Sequence, residues 1–496
     1  MLKKLRVALA AFSFTFITLL FLDFTGALQP WFGWLAEIQF FPAILAANLA
    51  VVAGLVVLTL LFGRIYCSVI CPLGIMQDII SHFSGKRKNR SYRFHFRKEN
   101  KPLRYGVLAA FIILLVAGLG SIAALVAPYS AYGKIASNIF APVYRGVNNL
   151  LASLSAAVDG YLFYGTEVIT GTLVSFAVAA VTFAVIAVLA WKGGRSWCNN
   201  VCPVGTVLGF FSRFSLFRPV IDESKCIGCT KCAKRCKASC INEKEHKIDY
   251  SRCVVCMDCI SECSVGAIHY AFRGQKGKAS PAGGCDTPSD KGRRDALSII
   301  GMAVAGSTLK AQELKVDGGY AAIAQKVVPP REVSPKPAGS LSVKNFEDKC
   351  VACQLCVSNC PNGVLRPSSK LSSLLQPEMS FDRGYCRPEC TKCGEVCPAG
   401  AITKVSREEK SSIQTGHAVW IEKNCVVTTD DVDCGNCAAH CPSGAITMVP
   451  AEAGKGRKVP SIDVERCIGC GACEHLCPAR PLGAIYVEGH LVHKEI

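Results

Sequence analysis

Residues 226–236 read CIGCTKCAKRC, and residues 253–263 read CVVCMDCISEC. Each stretch separates its four cysteines by two, two and three residues. In proteins that hold two [4Fe–4S] clusters, the first three cysteines of such a run ligate one cluster and the fourth ligates the other. Four cysteines can also bind zinc, but two consecutive runs of this spacing favour [4Fe–4S] clusters. The predicted ligand sets are Cys226, Cys229, Cys232 and Cys263 for one cluster and Cys253, Cys256, Cys259 and Cys236 for the other.

Four further cysteine runs follow between residues 350 and 478, and each ends in Cys-Pro. Three of them continue into Gly-Ala-Ile, so this part of the chain is an internal repeat. The second and third runs have a longer first spacing. Their cysteines predict four more [4Fe–4S] clusters, which makes six in the chain. The ligands are Cys350, Cys353, Cys356 and Cys360; Cys386, Cys390, Cys393 and Cys397; Cys425, Cys434, Cys437 and Cys441; and Cys467, Cys470, Cys473 and Cys477. We expect the leftover Cys240 and Cys285 to be free thiols.

The overall composition narrows the class of protein. The chain has 496 residues, half of them hydrophobic, and a net charge of +18. Its mean hydropathy of +0.31 is high for a soluble protein. So many apolar residues exclude a disordered chain, and the length excludes a small scaffold stabilised by disulfides. Together with the cysteine runs, this indicates a membrane protein that binds metal.

Four apolar segments lie in the first part of the chain, at residues 7–24, 42–62, 105–128 and 174–191. Each is close to the roughly 20 residues that a helix needs to span a bilayer. We therefore predict an α-helical membrane domain over residues 1–210, with four transmembrane helices arranged as two repeats. No small-residue cleavage site follows the first segment, which favours an uncleaved anchor over a signal peptide.

Basic residues set the expected orientation of this domain. Nine lysines and arginines lie in residues 86–104, between the second and third apolar segments, and only Glu99 opposes them. The positive-inside rule places this loop and the N-terminus in the cytoplasm, and residues 25–41 and 129–173 on the outer side. Because much of the net charge is a topology signal, we expect no nucleic-acid binding.

One motif occurs twice, at the ends of the second and fourth apolar segments. Residues 63–74 read GRIYCSVICPLG, and residues 194–205 read GRSWCNNVCPVG. Thiolates suit soft metals, so the two copies could together hold one additional metal centre. Two structural turns with reduced thiols are the alternative. The four cysteines concerned are Cys67, Cys71, Cys198 and Cys202.

Residues 276–345 are predicted to be a linker. Within it, residues 291–311 contain Arg293-Arg294 before a short apolar stretch. This pattern is similar to a twin-arginine export signal, although an amphipathic linker is the alternative. Export would give a fifth crossing and place residues 346–496 in the periplasm; whether the segment is cleaved stays open. The proline-rich residues 327–340 are expected to be extended.

These motifs and their order carry a family resemblance. The first 280 residues or so resemble NapH-type membrane ferredoxins, and residues from about 291 to the end resemble NapG- and MauM-type periplasmic ferredoxins. The resemblance implies a fusion of the two, with α+β ferredoxin-like domains at residues 220–275 in the cytoplasm and 346–496 in the periplasm. A further resemblance, to four-cluster electron-transfer subunits, implies that runs one and four exchange their last cysteines, and runs two and three likewise.

The same resemblance implies a function in a complex at the bacterial inner membrane. Such proteins oxidise membrane quinol and pass the electrons to a periplasmic reductase or cytochrome. The chain would then be a quinol dehydrogenase-type oxidoreductase subunit with quinone as its product. Two alternatives are open: a metal-handling assembly factor similar to copper-reducing membrane ferredoxins, and a conduit fed by a cytoplasmic ferredoxin. Trp31, Trp34 and Glu37 either line a quinol site or form an interfacial belt.

Overall fold

The computed structural model describes residues 2–86, 94–157, 163–166, 171–273, 325–451 and 456–496. The twin-arginine-like segment at 291–311, Cys285 and much of the basic loop lie outside these residues. The described chain forms an N-terminal helical domain, a small two-cluster domain and a C-terminal domain. The first comprises α1 (Leu2–Leu22), α2 (Gln29–Phe32), α3 (Trp34–Glu37), α4 (Phe40–Leu45), α5 (Leu49–Phe62), α6 (Tyr66–Val69), α7 (Pro72–Lys86), α8 (Lys101–Val116), α9 (Gly120–Ala123), α10 (Pro128–Ile135), a π-helical turn (Ala136–Phe140), α11 (Ala141–Ala156), α12 (Leu173–Gly193), α13 (Ser196–Asn200) and α14 (Pro203–Ser212).

Two helices of this domain, α1 and α12, are long and apolar enough to cross a membrane by length and composition. Each has 21 residues, a length of about 31 Å. The other two expected spans give shorter helices. The Asn48 side chain accepts a hydrogen bond from the Val51 amide at 3.2 Å and so caps the 14-residue α5, which separates it from α4. The third segment gives the 16-residue α8. Four membrane-spanning helices were expected, and among the described residues two helices, α1 and α12, are long enough to span a membrane.

The two copies of the duplicated motif have the same local structure. The long helix before each motif ends at a glycine with positive φ, Gly63 at 75° and Gly194 at 61°. A short helix that contains the first cysteine follows, α6 or α13. The next helix, α7 or α14, starts at the proline after the second cysteine, where the missing amide proton costs nothing. The repeat in the sequence is therefore a repeat in the fold.

The two-cluster domain has two small antiparallel sheets and two short helices. Strand β1 pairs with the last strand along its whole length, from Phe217 opposite Phe272 to Ile221 opposite Ile268. The short strands expected near residues 247 and 268 are both present. The elements are β1 (Phe217–Ile221), α15 (Lys231–Arg235), β2 (Ile241–Asn242), β3 (Lys247–Ile248), α16 (Asp258–Glu262) and β4 (Ile268–Phe272).

The C-terminal domain contains three two-stranded antiparallel sheets, β5–β6, β7–β10 and β8–β9. Short helices and loops that carry the cysteines connect them. The elements are α17 (Val343–Lys349), α18 (Leu355–Ser358), β5 (Leu365–Pro367), β6 (Pro377–Met379), α19 (Lys392–Glu395), α20 (Arg407–Ser412), β7 (Ile413–Trp420), a 3₁₀ turn (Glu422–Asn424), α21 (Val426–Thr429), α22 (Asn436–Ala439), β8 (Ile446–Pro450), β9 (Lys458–Ile462), α23 (Ala472–Leu476) and β10 (Ile485–Glu495).

The proline-rich stretch expected to be a linker is part of this domain. The Val327 amide donates to the Pro481 carbonyl. The carbonyls of Pro335 and Val333 accept hydrogen bonds from the amides of Met379 and Gly489, respectively. Prolines favour an extended backbone but leave their carbonyl oxygens free to accept hydrogen bonds. Residues 327–335 therefore pack with this domain, upstream of the expected boundary at residue 346.

The two cysteine-rich domains contact opposite ends of α1. At its start, the Lys3 ammonium pairs with the Asp258 carboxylate of the two-cluster domain at 3.0 Å. At its end, the Leu20 carbonyl accepts a hydrogen bond from the Asn359 side chain of the C-terminal domain at 3.2 Å. The helical domain thus lies between the two sets of cysteines. The contacts that join it to them are about one length of α1 apart.

Candidate iron–sulfur sites

The structure brings the first eight cysteines together in the two groups that the spacing predicts. One cavity is lined by the thiols of Cys226, Cys229, Cys232 and Cys263. A second cavity is lined by those of Cys236, Cys253, Cys256 and Cys259. In this domain, residues Thr230 and Met257, each just after the second cysteine of its run, have positive φ values of 60° and 62°. This turns the backbone so that the third cysteine can face the same cavity.

In the C-terminal domain the expected exchange of cysteines is wrong. Runs one and two form a pair, because Cys397, the last cysteine of run two, lines one cavity with Cys350, Cys353 and Cys356. Burial raises the pKa of the Cys353 thiol to about 12, and the adjacent Cys397 thiol adds to this rise. In return, Cys360 lies beside Cys386 and Cys393.

Runs three and four form the second pair. Cys437 interacts electrostatically with Cys434, Cys425 and the last cysteine of run four, Cys477. Cys470 interacts with Cys467 and with the last cysteine of run three, Cys441. The physical reason for this pairing is that a β-hairpin connects the two cysteine runs of each pair. Strands β5–β6 separate runs one and two, and β8–β9 separate runs three and four, just as β2–β3 separate the two runs of the first domain.

The four sites of the C-terminal domain are close to one another in a fixed order. The site of run one adjoins that of run two, where Cys356 interacts with Cys393. The site of run two adjoins that of run four, since the Cys386 amide donates to the Cys470 carbonyl at 2.9 Å. Cys473 then interacts with Cys437 of the run-three site. Such a chain of neighbouring sites suits electron transfer.

The donor sets fit [4Fe–4S] clusters. In three cavities, four cysteines drawn from two runs line one space. An all-cysteine set of four is the ligand set of a [4Fe–4S] cluster, in which the four thiolates bind four different iron atoms. All the cysteines of these six sites are free thiols in the structure. Bound clusters would supply one-electron redox chemistry.

Two groups beside cluster ligands were not apparent from the sequence. The Cys240 thiol, expected to be an uninvolved free thiol, lies 3.5 Å from the sulfur of Cys236, and its hydrogen bond lowers the pKa of Cys236. The buried Lys410 ammonium lies 3.3 Å from the sulfur of Cys386. Lys410 is one of many lysines in the chain and lies on a short polar helix, so the sequence alone gives no sign of its contact with Cys386.

The four cysteines of the duplicated motif also meet. Cys67, Cys71, Cys198 and Cys202 are each 4% exposed, and every pair of their thiols interacts electrostatically. The Gln77 side-chain amide donates to the Cys198 sulfur at 3.2 Å, and the Gly205 amide donates to the Cys202 sulfur at 3.3 Å. The expected convergence of the two motif copies is therefore present.

Among the other sequence candidates, Trp31 and Trp34 are exposed on the short helices that follow α1, 75% and 49% respectively. Glu37 pairs with Lys404 of the C-terminal domain at 3.4 Å. An interfacial belt and a quinol site both remain predictions for these residues.

Six groups of four thiols, two in the small domain and four in the C-terminal domain, define a ferredoxin-type iron–sulfur protein. Comparison with family models agrees. A model described as a 4Fe-4S binding domain matches residues 44–91 and 175–221, a 4Fe-4S dicluster domain model matches residues 432–480, and another 4Fe-4S binding domain model matches residues 343–366. No solved structure matches the chain.

The chain belongs to the family of ferredoxin-type electron-transfer proteins that includes MauM. It is 30% identical over 188 residues to the methylamine utilization ferredoxin-type protein MauM of Methylobacillus flagellatus, which covers 36% of this chain and 74% of that protein. It is 28% identical over 187 residues to the ferredoxin-type protein NapH of Haemophilus influenzae, which covers 37% of this chain and 52% of that protein. The resemblance to both kinds of protein is thus confirmed.

A third relative is the protein described as "Putative electron transport protein YccM" of Escherichia coli (strain K12), 28% identical over 199 residues and 39% of this chain. The chain spans about half the length of YccM, 47%. The shared property is therefore iron–sulfur electron transfer.

Proposed function

We propose that this protein is embedded in the bacterial inner membrane, oxidises quinol there and passes the electrons through its clusters to a redox protein outside the cytoplasm. In this proposal the four apolar segments cross the membrane, the two-cluster domain faces the cytoplasm, and the C-terminal domain lies in the periplasm. The position of the two cysteine-rich domains at opposite ends of α1 supports this arrangement.

One cavity supports the oxidation of quinol. It has a volume of about 540 Å³ and lies between the helical domain and the C-terminal domain. Phe24, Arg145 and Tyr164 line it on one side, and Cys360 and Pro361 on the other. Its size is typical of a site for a small organic ligand. A quinol ring held here would adjoin a predicted cluster ligand, Cys360.

The cavity combines an apolar entrance with polar groups that suit a quinol head group. Phe24 follows the end of α1, where the acyl chains of a bilayer would end. Arg145 is 7% exposed, and one of its terminal nitrogens donates to the Ser358 carbonyl at 3.3 Å. Because its side chain lines the cavity, the guanidinium could donate a hydrogen bond to a quinol oxygen.

Oxidation of one quinol to quinone releases two electrons and two protons. Bound clusters accept the electrons one at a time. The protons leave through the open, solvent-facing side of the cavity. Arg145 and the aromatic residues that line the cavity hold the quinol ring and limit access of water. Cys360 connects the cavity to the row of neighbouring cluster sites, of which the run-three site is the last.

The test uses the cluster-loaded full chain in lipid nanodiscs. Addition of a short-chain quinol under anaerobic conditions should bleach the iron–sulfur absorbance. Arg145→Gln and Arg387→Gln change two cavity residues and should slow this reduction at least about tenfold, the loss of one buried hydrogen bond or more. Arg407→Gln, on the exposed helix α20, is the matched control and should leave the rate unchanged. Dithionite should reduce all variants equally.

A second function is favoured by a different contact. The Arg195 amide donates to the Lys237 carbonyl at 2.9 Å, which joins the duplicated motif directly to the chain beside Cys236. Electrons could therefore enter from a cytoplasmic ferredoxin through the two-cluster domain. If reduced ferredoxin bleaches the clusters of the C-terminal domain and quinol does not, the conduit replaces the quinol dehydrogenase as the function.

A further inference from the structure

The short helix α20 buries one of its side chains, and that side chain is a lysine. Lys410 is 6% exposed, whereas the three residues before it on the helix are exposed. The helix begins at a capping box formed by Ser406 and Glu409, which fixes its first turn. Burial of an ammonium group is costly unless its protons find acceptors, so a lysine at this position needs a reason beyond packing.

The acceptors of the Lys410 ammonium all lie in run two. The group lies 3.3 Å from the Cys386 sulfur, and it donates to the Arg387 carbonyl at 2.6 Å and to the Cys390 carbonyl. An ammonium has three protons to donate, so this loop accepts all of them. None of the three acceptors is a carboxylate. The loop that binds the ammonium therefore does not neutralise its charge.

The neighbouring run-one site shows a different arrangement. Two buried lysines lie near its cysteines, but neither donates to a sulfur. Lys336 pairs with Glu347 at 3.7 Å, and Lys134 donates to the Ala124 carbonyl at 3.1 Å. In the part of the chain that the structure describes, Lys410 is the one charged side chain hydrogen-bonded to a sulfur of the six ferredoxin-type groups.

The run-two site also adjoins the cavity proposed to hold quinol. Cys360, the fourth cysteine of this site, lines the cavity. So do Tyr385 and Arg387, the residues on either side of Cys386. Lys410 approaches the same site from α20 and does not line the cavity. The cavity and Lys410 thus contact one group of four cysteines.

Charge determines how readily this site accepts an electron. One-electron reduction adds one negative charge to the site and neither makes nor breaks a bond. A fixed cation and an N–H donor at a ligand sulfur both favour the reduced state, so both raise the reduction potential. A membrane quinol is a mild reductant, and the cluster that takes electrons from it needs a raised potential.

We propose that Lys410 makes the run-two cluster the first acceptor of electrons from the cavity. It is a positioning residue, because it acts through the Cys386 sulfur and does not touch the quinol. Its effect on the potential is independent of the electron donor. Its place in the electron route rests on the proposed oxidation of quinol.

Redox-titrated EPR of the cluster-loaded full chain, with soluble mediators and without quinol, measures the effect on the potential. The run-two signal is identified by its loss in Cys393→Ser. Lys410→Gln keeps an N–H donor without the charge, and Lys410→Met removes both. Each should shift the redox equilibrium of this cluster at least about tenfold towards the oxidised state, which is about 59 mV for one electron.

Two further variants separate charge from structure. Lys410→Arg retains the charge and should keep a midpoint close to that of the wild-type chain. Arg407→Gln removes an exposed charge from the same helix and is the matched control, with an unchanged midpoint. An iron content equal to that of the wild-type chain identifies variants that retain their clusters. If Lys410→Met loses iron, Lys410→Gln decides. Loss of the run-two cluster from both neutral variants would overturn the proposal, since Lys410 would then be a structural residue.

Freeze-quenched EPR after mixing with a short-chain quinol tests the order of reduction. In the wild-type chain the run-two signal should appear before the run-one signal, and Lys410→Gln should slow its appearance while dithionite reduces both chains equally. An unchanged midpoint in both neutral variants, an equal shift in Lys410→Arg, or a run-one signal that appears first would each overturn the proposal. If quinol reduces no cluster but the midpoint still shifts in the neutral variants, the oxidation of quinol is disproved and the effect of Lys410 on the potential is confirmed.

Discussion

The Arg195 guanidinium donates to the Cys67 carbonyl oxygen at 2.7 Å, a contact between residues 128 positions apart in the sequence. The same guanidinium makes two hydrogen bonds of 2.8 Å to the Asp78 carboxylate. Asp78 thereby fixes the arginine that joins the two repeats. The first repeat has this carboxylate on α7, whereas the corresponding position on α14 is Gly209, and a Cβ there would lie 2.0 Å from Arg104.

Asp78→Asn should therefore destabilise the protein. Burial acts to raise the pKa of Asp78, but Arg195, Lys237 and Arg6 hold it well below its ordinary value. The amide would leave these cations without their shared carboxylate, at a cost of about 3–5 kcal/mol. Thermal unfolding in detergent measures the loss. Asp382→Asn is the control, because Asp382 pairs with Arg366 at the surface and its removal should cost less than about 1 kcal/mol. Equal losses in both variants would contradict the prediction.

The exchange of cysteines in the C-terminal domain gives a second prediction. Cys397→Ser should damage the cluster of run one, and Cys360→Ser the cluster of run two. Cys360→Ser should leave the run-four cluster intact, although the resemblance to four-cluster subunits implied that Cys360 ligates it. Redox-titrated EPR of each variant, with selective cysteine-to-serine changes at Cys353 and Cys470 as references, shows which signal is lost. Loss of the run-four signal in Cys360→Ser would restore the earlier pairing.

The sequence predicted how the cysteines of the first domain group, but not how the runs of the last domain pair. Spacing defines which three cysteines share a cluster, because they lie on one short loop. It does not define which distant run supplies the fourth, which depends on how the runs pack. The hairpin between paired runs was a usable signal, since residues 241–248 already provide one between the first two runs.

The helical domain was predicted in part for a similar physical reason. Hydropathy detected the apolar segments but not the breaks within them. Asn48 caps α5 in the middle of one segment, and Gly118 with φ of 74° follows the end of α8 in another. The partners of the motif thiols were hidden as well, since Gln77 and Asp78 lie outside the repeated pattern and contact the second copy only in the folded chain.

The proposed topology can be tested with reporter fusions. Reporter fusions after Ser84 and after Ser280 should be active as cytoplasmic reporters, and fusions after Gly160 and at the C-terminus as periplasmic ones. Arg293→Lys combined with Arg294→Lys should keep the C-terminal reporter inside if the twin-arginine pathway exports this domain. A cytoplasmic C-terminal reporter in the unmodified chain would contradict the proposed arrangement.

Cys240→Ala should make the cluster ligated by Cys236 harder to reduce. The Cys240 thiol donates to the Cys236 sulfur, and hydrogen bonds to ligand sulfurs favour the more negative, reduced cluster. Loss of a hydrogen bond of about 1 kcal/mol corresponds to a shift of about 40 mV to more negative potential for one electron. Cys240→Ser retains a donor and should shift the potential less. An unchanged midpoint in Cys240→Ala would show that this contact does not tune the cluster.

Gly133 on α10 packs directly against the backbone of the run-one site. A Cβ atom there would lie 2.3 Å from the Cys353 carbonyl oxygen, and backbone cannot move aside as a flexible side chain can. Gly133→Ala should therefore weaken the contact between the two domains. Limited proteolysis and the rate of electron transfer to the run-one cluster would detect this change. Gly146→Ala is the matched control, because it lies on the helix α11 with no atom within 4 Å of its Cβ and should stabilise the chain by about 0.5–1 kcal/mol. The same substitution should thus have opposite signs at the two helical glycines, and a stabilised, protease-resistant Gly133→Ala variant would disprove the close contact.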